Sequence, residues 1–167
     1  MTVKRSFGAV ADARTRLMIL GSLPGERSLR AAQYYAHPQN RFWELVGSVV
    51  DRDLRALAYP DRLAALREAR VGLWDSIGAA KRAGSLDSAI RDVAANDLAA
   101  LVATLPDLRA VAFNGATSAK IGRAQLPAEP GFALVDLPSS SAANARHGLA
   151  HKIERWAVLR EFLISTG

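Results

Sequence analysis

Apolar residues in this chain gather into four short runs, separated by stripes that repeat with a helical period. The run Arg16 to Leu20, closed by Gly21, predicts a strand covered on both faces, because a strand with one wet face would alternate. Val71 to Trp74, ending at Asp75, is a second such run. Leu108 to Phe113, ended by Asn114-Gly115, is a third, and Phe132 to Leu137, ended by Pro138 and a serine run, is a fourth. Between them, Phe42, Leu45, Val46 and Val49 recur at helical spacing, as do Leu98, Leu101, Val102 and Leu105. Thr117 to Gly122 reads as a short helix, and Ile153, Trp156, Leu159 and Leu163 mark a closing one. Pro60-Asp61 suggests a break followed by an N-cap, with Leu63 and Leu66 on the next short helix. Gly21 to Asn40 reads as a long loop, Gly78 to Ser88 as a polar connection, and Gln125 to Pro130 as a loop.

Strand and helix alternate, which predicts an α/β chain with a parallel sheet covered by helices on both faces. Ligands of such sheets bind beyond the carboxyl ends of the strands. Here those ends are small or polar: Gly21-Ser22, Asp75-Ser76, Asn114-Gly115 and Ser139-Ser140-Ser141. Four such ends on one rim would form a shared polar cleft.

Length and composition narrow the class. The 167 residues fit a single domain spanning 1–167, and half of them are apolar. Lys and Arg exceed Asp and Glu by 22 to 16, a net charge of +6 that suits a polyanionic partner. There is no cysteine, so disulfides, thiolate metal sites and cysteine nucleophiles are excluded. No apolar run approaches the roughly 18 residues of a membrane span. Met1 to Arg16 shows no apolar signal core, so the expected location is cytoplasmic.

Two segments stand out for chemistry. Gly21-Ser22-Leu23-Pro24-Gly25-Glu26-Arg27-Ser28-Leu29 follows the first strand, with glycines spaced for neither a phosphate loop nor a dinucleotide fingerprint. Tyr34-Tyr35-Ala36-His37-Pro38-Gln39-Asn40-Arg41-Phe42-Trp43 puts two aromatics in a loop, where a planar ligand can stack. Asn40 stands where a helix N-cap would, and His37 where a structural loop histidine would. The three histidines, His37, His147 and His151, have no ligand spacing, so no metal is expected.

These two segments, with Leu137-Pro138-Ser139-Ser140-Ser141-Ala142-Ala143-Asn144, resemble the motifs of the uracil-DNA glycosylase superfamily, nearest to its hypoxanthine and mismatch-specific branches. The resemblance spans nearly the whole chain. It implies a three-layer α/β/α sandwich around a central four-stranded parallel sheet. It also implies a monofunctional enzyme that turns a deaminated base out of DNA and hydrolyses its glycosidic bond, acting as a monomer without cofactor, with free uracil or hypoxanthine as product. Carried over by motif, Asn40 becomes the catalytic amide, because Leu23 occupies the place where many relatives hold an Asp or Asn to position water. Tyr35 becomes the aromatic that stacks on the base. Ser22, Leu23, Asp75 and Asn114 fall around the base. Ser139, Ser140 and Ser141 would hold phosphates, with Asn144, Arg146 and His147 in the loop that enters the gap. No histidine precedes Pro138, so the usual histidine beside the leaving base is missing.

The residue chemistry fits base excision. Aromatic stacking returns roughly 1–3 kcal/mol per base, against a few kcal/mol to extrude one. An amide orients water but is a poor proton acceptor. Asp75 and Glu26 are the carboxylates near the expected rim, Asp75 suited to the base edge and Glu26 to water activation. Arg27, Arg41 and Lys152 are further candidates for phosphate. Uracil and hypoxanthine both show a carbonyl beside an N–H, and uracil is placed first as the superfamily's commonest substrate. Two alternatives remain at this point: a protein of the same fold that binds damaged DNA or nucleobases without cleaving, and an unrelated esterase or nucleotide hydrolase.

Overall fold

The computed structural model describes residues 3–142 and 148–164. In chain order the strands are β1 (Val3–Arg5), β2 (Leu17–Gly21), β3 (Val71–Asp75), β4 (Ile77–Lys81), β5 (Arg91–Ala95), β6 (Ala110–Asn114) and β7 (Ala133–Leu137). The helices are α1 (Glu26–Ala31), α2 (Phe42–Val50), α3 (Tyr59–Glu68), α4 (Leu98–Val102), α5 (Ala116–Arg123) and α6 (Leu149–Trp156).

The four apolar runs form one parallel sheet in the order β3-β2-β6-β7. The two central strands, β2 and β6, are buried at every position, as unbroken apolar runs require. Successive side chains point to opposite faces, and each face has its own core. Leu17 and Ile19 pack with Phe42, Leu45, Leu66 and Trp156 beneath α2, α3 and α6. Met18 and Leu20 pack with Leu98, Val111 and Phe113 on the side of α4 and α5. The result is the three-layer α/β/α sandwich with a four-stranded parallel sheet.

Three expectations need correction. The supposed long loop between Gly21 and Asn40 contains α1, a six-residue helix in which only Ser28 is buried, so no apolar stripe announces it. The supposed connection Gly78 to Ser88 is largely structured. Its first part is β4, which pairs antiparallel with both β1 and β5 in a second, three-stranded sheet. β5 is exposed along its whole length and β4 is built mainly from small residues, so neither leaves an apolar signature. Finally, Asp61 is not an N-cap. α3 begins at Tyr59, and Pro60 lies in its first turn, where no backbone N–H is needed.

All four strands of the main sheet run the same way, so their carboxyl ends share one edge. Gly21 pairs with Asp75, and Asn114 pairs with Leu137.

Candidate active site

A cavity of about 790 Å³ opens at that edge, within the size range of small-molecule sites. Gly21, Asp75, Asn114 and Ser139 line it from the four strand ends, and Tyr35 and Asn40 line it from the segment before α2.

The floor is built around an absent side chain. A Cβ on Gly21 would stand 2.6 Å from Asp75 Oδ1 and 2.6 Å from Tyr35 Oη. Glycine is therefore what lets a carboxyl and a phenol converge over the end of β2. Asp75 is only 3 % exposed, and its Oδ2 is buried without a hydrogen-bond partner. Burial lifts its carboxyl to about 8, the charge of Asp87 pushes the same way, and Arg82 opposes them. At neutral pH the group is mostly uncharged.

Tyr35 holds a left-handed backbone conformation (φ 54°), unusual for a bulky side chain. Its ring stacks on Phe42 at 3.8 Å between centroids, so only the other face is left for a ligand. Its hydroxyl receives a hydrogen bond from Asn114 Nδ2 at 3.4 Å. Burial, and then the charge of Asp75, raise the phenol well above the usual tyrosine range, so it stays protonated.

Asn114 is 7 % exposed and fully engaged. Its Nδ2 donates to Ser140 Oγ at 2.9 Å, and its Oδ1 accepts the Ser140 N–H at 2.9 Å. Ser140 is thus 1 % exposed and clamped to the end of β6, not turned outward to a phosphate like its expected companions. Ser139 and Ser141 line the cavity on either side of it. The N-cap of α2 is Arg41, not Asn40 as expected; Asn40 Oδ1 accepts the Phe42 N–H at 2.9 Å in a turn just ahead of the helix, which leaves its amide nitrogen as the group to offer the cavity. His37 accepts the Gln39 N–H through Nδ1 at 3.1 Å, a turn contact.

The rim includes residues that nothing in the sequence marked. The β4–β5 connection folds over the Gly21–Gly25 loop and is tied to it. Ser22 Oγ donates to Asp87 Oδ1 at 2.7 Å, and the Glu26 N–H donates to Ser85 Oγ at 2.9 Å. Arg82, buried to 1 % exposure, donates to the Leu23, Pro24 and Gly84 carbonyls. Leu23 packs against Ile77 and Ala80, so its side chain belongs to a small apolar cluster. The Glu26 carboxylate, at the cavity mouth, pairs with Lys4 at 3.4 Å. Asn144, Arg146 and His147 lie outside the described residues.

Comparison with known proteins follows this geometry. Residues 7–160 match the model of the uracil DNA glycosylase superfamily. A protein of Methanosarcina acetivorans named hypoxanthine DNA glycosylase is 43 % identical over 159 residues, covering 95 % of this chain and 99 % of its own. A Methanosarcina barkeri protein of the same name is 42 % identical over 157 residues, covering 92 % and 96 %. A solution structure from Methanosarcina acetivorans, provisionally described as a uracil DNA glycosylase, superposes with a TM-score of 0.85 at 40 % identity, covering 96 % of this chain and 99 % of that one.

Proposed function

The chain belongs to the uracil DNA glycosylase superfamily and is a DNA glycosylase, and from that premise we propose that it excises hypoxanthine from DNA, with uracil as a second substrate. The relatives' names move hypoxanthine ahead of uracil, the base that the resemblance alone placed first. The observation that carries the reading is the buried Asp75 carboxyl with an oxygen that has no hydrogen-bond partner among the described residues.

An uncharged carboxyl has a donor and an acceptor on adjacent oxygens. Hypoxanthine and uracil each offer a carbonyl beside an N–H, so two matched hydrogen bonds form on either base. A buried polar atom without a partner costs roughly 1–3 kcal/mol, and a bound base relieves that cost. Bond cleavage leaves negative charge on the departing base and positive charge on the sugar. The protonated Asp75 and Tyr35 hydroxyls, both converging on Gly21, are donors suited to the charge that grows on the base oxygen. Asn40, through its free amide nitrogen, orients the water that adds to C1′ as the C1′–N bond breaks. One water proton goes to solvent, and the base leaves with the bonding pair. The exposed face of Tyr35 stacks on the everted base, and Ser139 and Ser141 meet the flanking phosphates.

The test is single-turnover incubation with duplexes bearing one inosine, one uracil, or neither, followed by alkaline cleavage. Abasic product from inosine at a rate above that from uracil is expected. No abasic product from either modified duplex would sink the reading.

A further inference from the structure

Lys152, on α6, is 4 % exposed, a rare state for a lysine. Its ammonium donates to the Ser141 carbonyl at 3.4 Å, and among the described residues no ion pair reaches it. The charge that acts on it is another cation, Arg41, whose guanidinium is itself paired with Glu44 at 2.8 Å and whose backbone N–H donates to the Ser140 carbonyl at 3.0 Å. The segment between Ala142 and Gly148 reads Ala-Asn-Ala-Arg-His and contains no acid that could serve as counter-charge. A buried ammonium that meets a carbonyl but no carboxylate among the described residues is costly, and an anion from outside the chain would relieve that cost.

We propose that Lys152 is the counter-charge for a DNA backbone phosphate seated on the Ser139–Ser141 turn, acting from beneath that turn with Arg41 beside it. The proposal rests on the reading that this cavity receives DNA, but not on which base is removed. Burial makes the charge effective. At the protein surface an ammonium is screened by water and salt, whereas beneath a turn, in a lower dielectric, the same charge acts more strongly on an anion a few ångströms above. Burial, and then Arg41, also hold the Lys152 ammonium below the usual lysine range, a strain that an arriving anion reverses.

The experiment measures binding of an undamaged duplex to the wild-type chain and to Lys152→Met by fluorescence anisotropy, from low to moderate KCl. Each phosphate neutralised contributes about 0.9 to the slope of log affinity against log salt. The expected result is a slope shallower by about one in Lys152→Met, with affinity near 0.1 M KCl about tenfold lower. The melting temperature should stay level or rise, since an unpaired buried charge has been removed. Unchanged slope and affinity would overturn the proposal, as would a fall in melting temperature parallel to the lost affinity, which would make Lys152 a mere prop for the turn. Should Lys152→Met not fold, Lys152→Gln supplies the same readings. A wild-type chain that binds duplex with this Lys152 dependence yet releases no hypoxanthine would leave this inference standing and sink the earlier one.

Discussion

Asp75 and Asn114 end the two strands that flank β2, and both are almost wholly buried, yet their side chains are satisfied to opposite degrees. Asn114 spends its amide on Ser140 and Tyr35. Asp75 keeps an oxygen that bonds to nothing among the described residues. A polar group with all its bonds filled internally builds a pocket wall. A polar group left short at the floor of a cavity is completed by what enters. The difference assigns Asn114 to positioning and Asp75 to recognition, and it can be tested residue by residue.

The largest effect belongs to Asp75→Ala. Removing a donor aimed at developing charge costs about 10²–10³ in rate. Single-turnover excision of hypoxanthine should fall by at least about a hundredfold, while melting shows no loss of stability near pH 8. Asn114→Ala should lose activity together with stability, by about 1–3 kcal/mol, because the Ser140 N–H is left buried without an acceptor. Activity lost from Asn114→Ala with unchanged melting would erase the contrast. Asn40→Ala should slow excision at least tenfold, in line with the usual worth of a group that manages a proton or a water. Its stability cost should stay at about 1 kcal/mol, the usual net worth of the one hydrogen bond it makes to the Phe42 N–H. Full activity in Asn40→Ala would remove it from the chemistry.

A pH profile sharpens the same contrast. Asp75 ionises at about 8 in the folded chain and at 3.8 ordinarily. The folded state therefore holds a proton that the unfolded state has released, and stability declines as pH rises between those values. The slope approaches about 1.4 kcal/mol per pH unit and flattens above about 8. Excision should instead hold up to about pH 8 and decline above it, as the donor is lost from the folded chain. Asp75→Asn keeps a donor and an acceptor without a charge, so both limbs should vanish. A limb that survives in Asp75→Asn belongs to another group.

Much of this was readable in the chain. The central strands β2 and β6 are buried at every position, so their apolar runs show in the sequence, and the polar ends of all four strands had to meet once the strands were parallel. Asn40 had the position of a cap, but the cap is Arg41, and Asn40 stands one residue earlier, closing a turn onto the Phe42 N–H. What stayed hidden depends on neighbours that folding supplies. β5 is exposed throughout and leaves no pattern. Nothing in the sequence marks Arg82, because the Leu23 and Pro24 carbonyls that close around it are brought there only by the fold. Asp75 could be placed at the base edge from the sequence, but its protonation could not, because that is set by burial and by Asp87, which the strap brings over the cavity.

That strap allows the smallest and most diagnostic change. Asp87 lies on the rim, accepts from Ser22 at 2.7 Å, and sits 3.9 Å from Arg82. Its negative charge helps keep the proton on Asp75. In Asp87→Asn that repulsion is gone, and the positive charge of Arg82 is no longer offset. Both changes favour the ionised form of Asp75, so its titration must move down in pH. The alkaline limb of excision should begin earlier, by less than one pH unit, with the rate on the plateau held within about threefold, since surface changes of this kind rarely exceed about 0.5 kcal/mol. A limb that moves upward or stays in place would mean that the rim does not tune the floor, and that Asp75 owes its proton to burial alone.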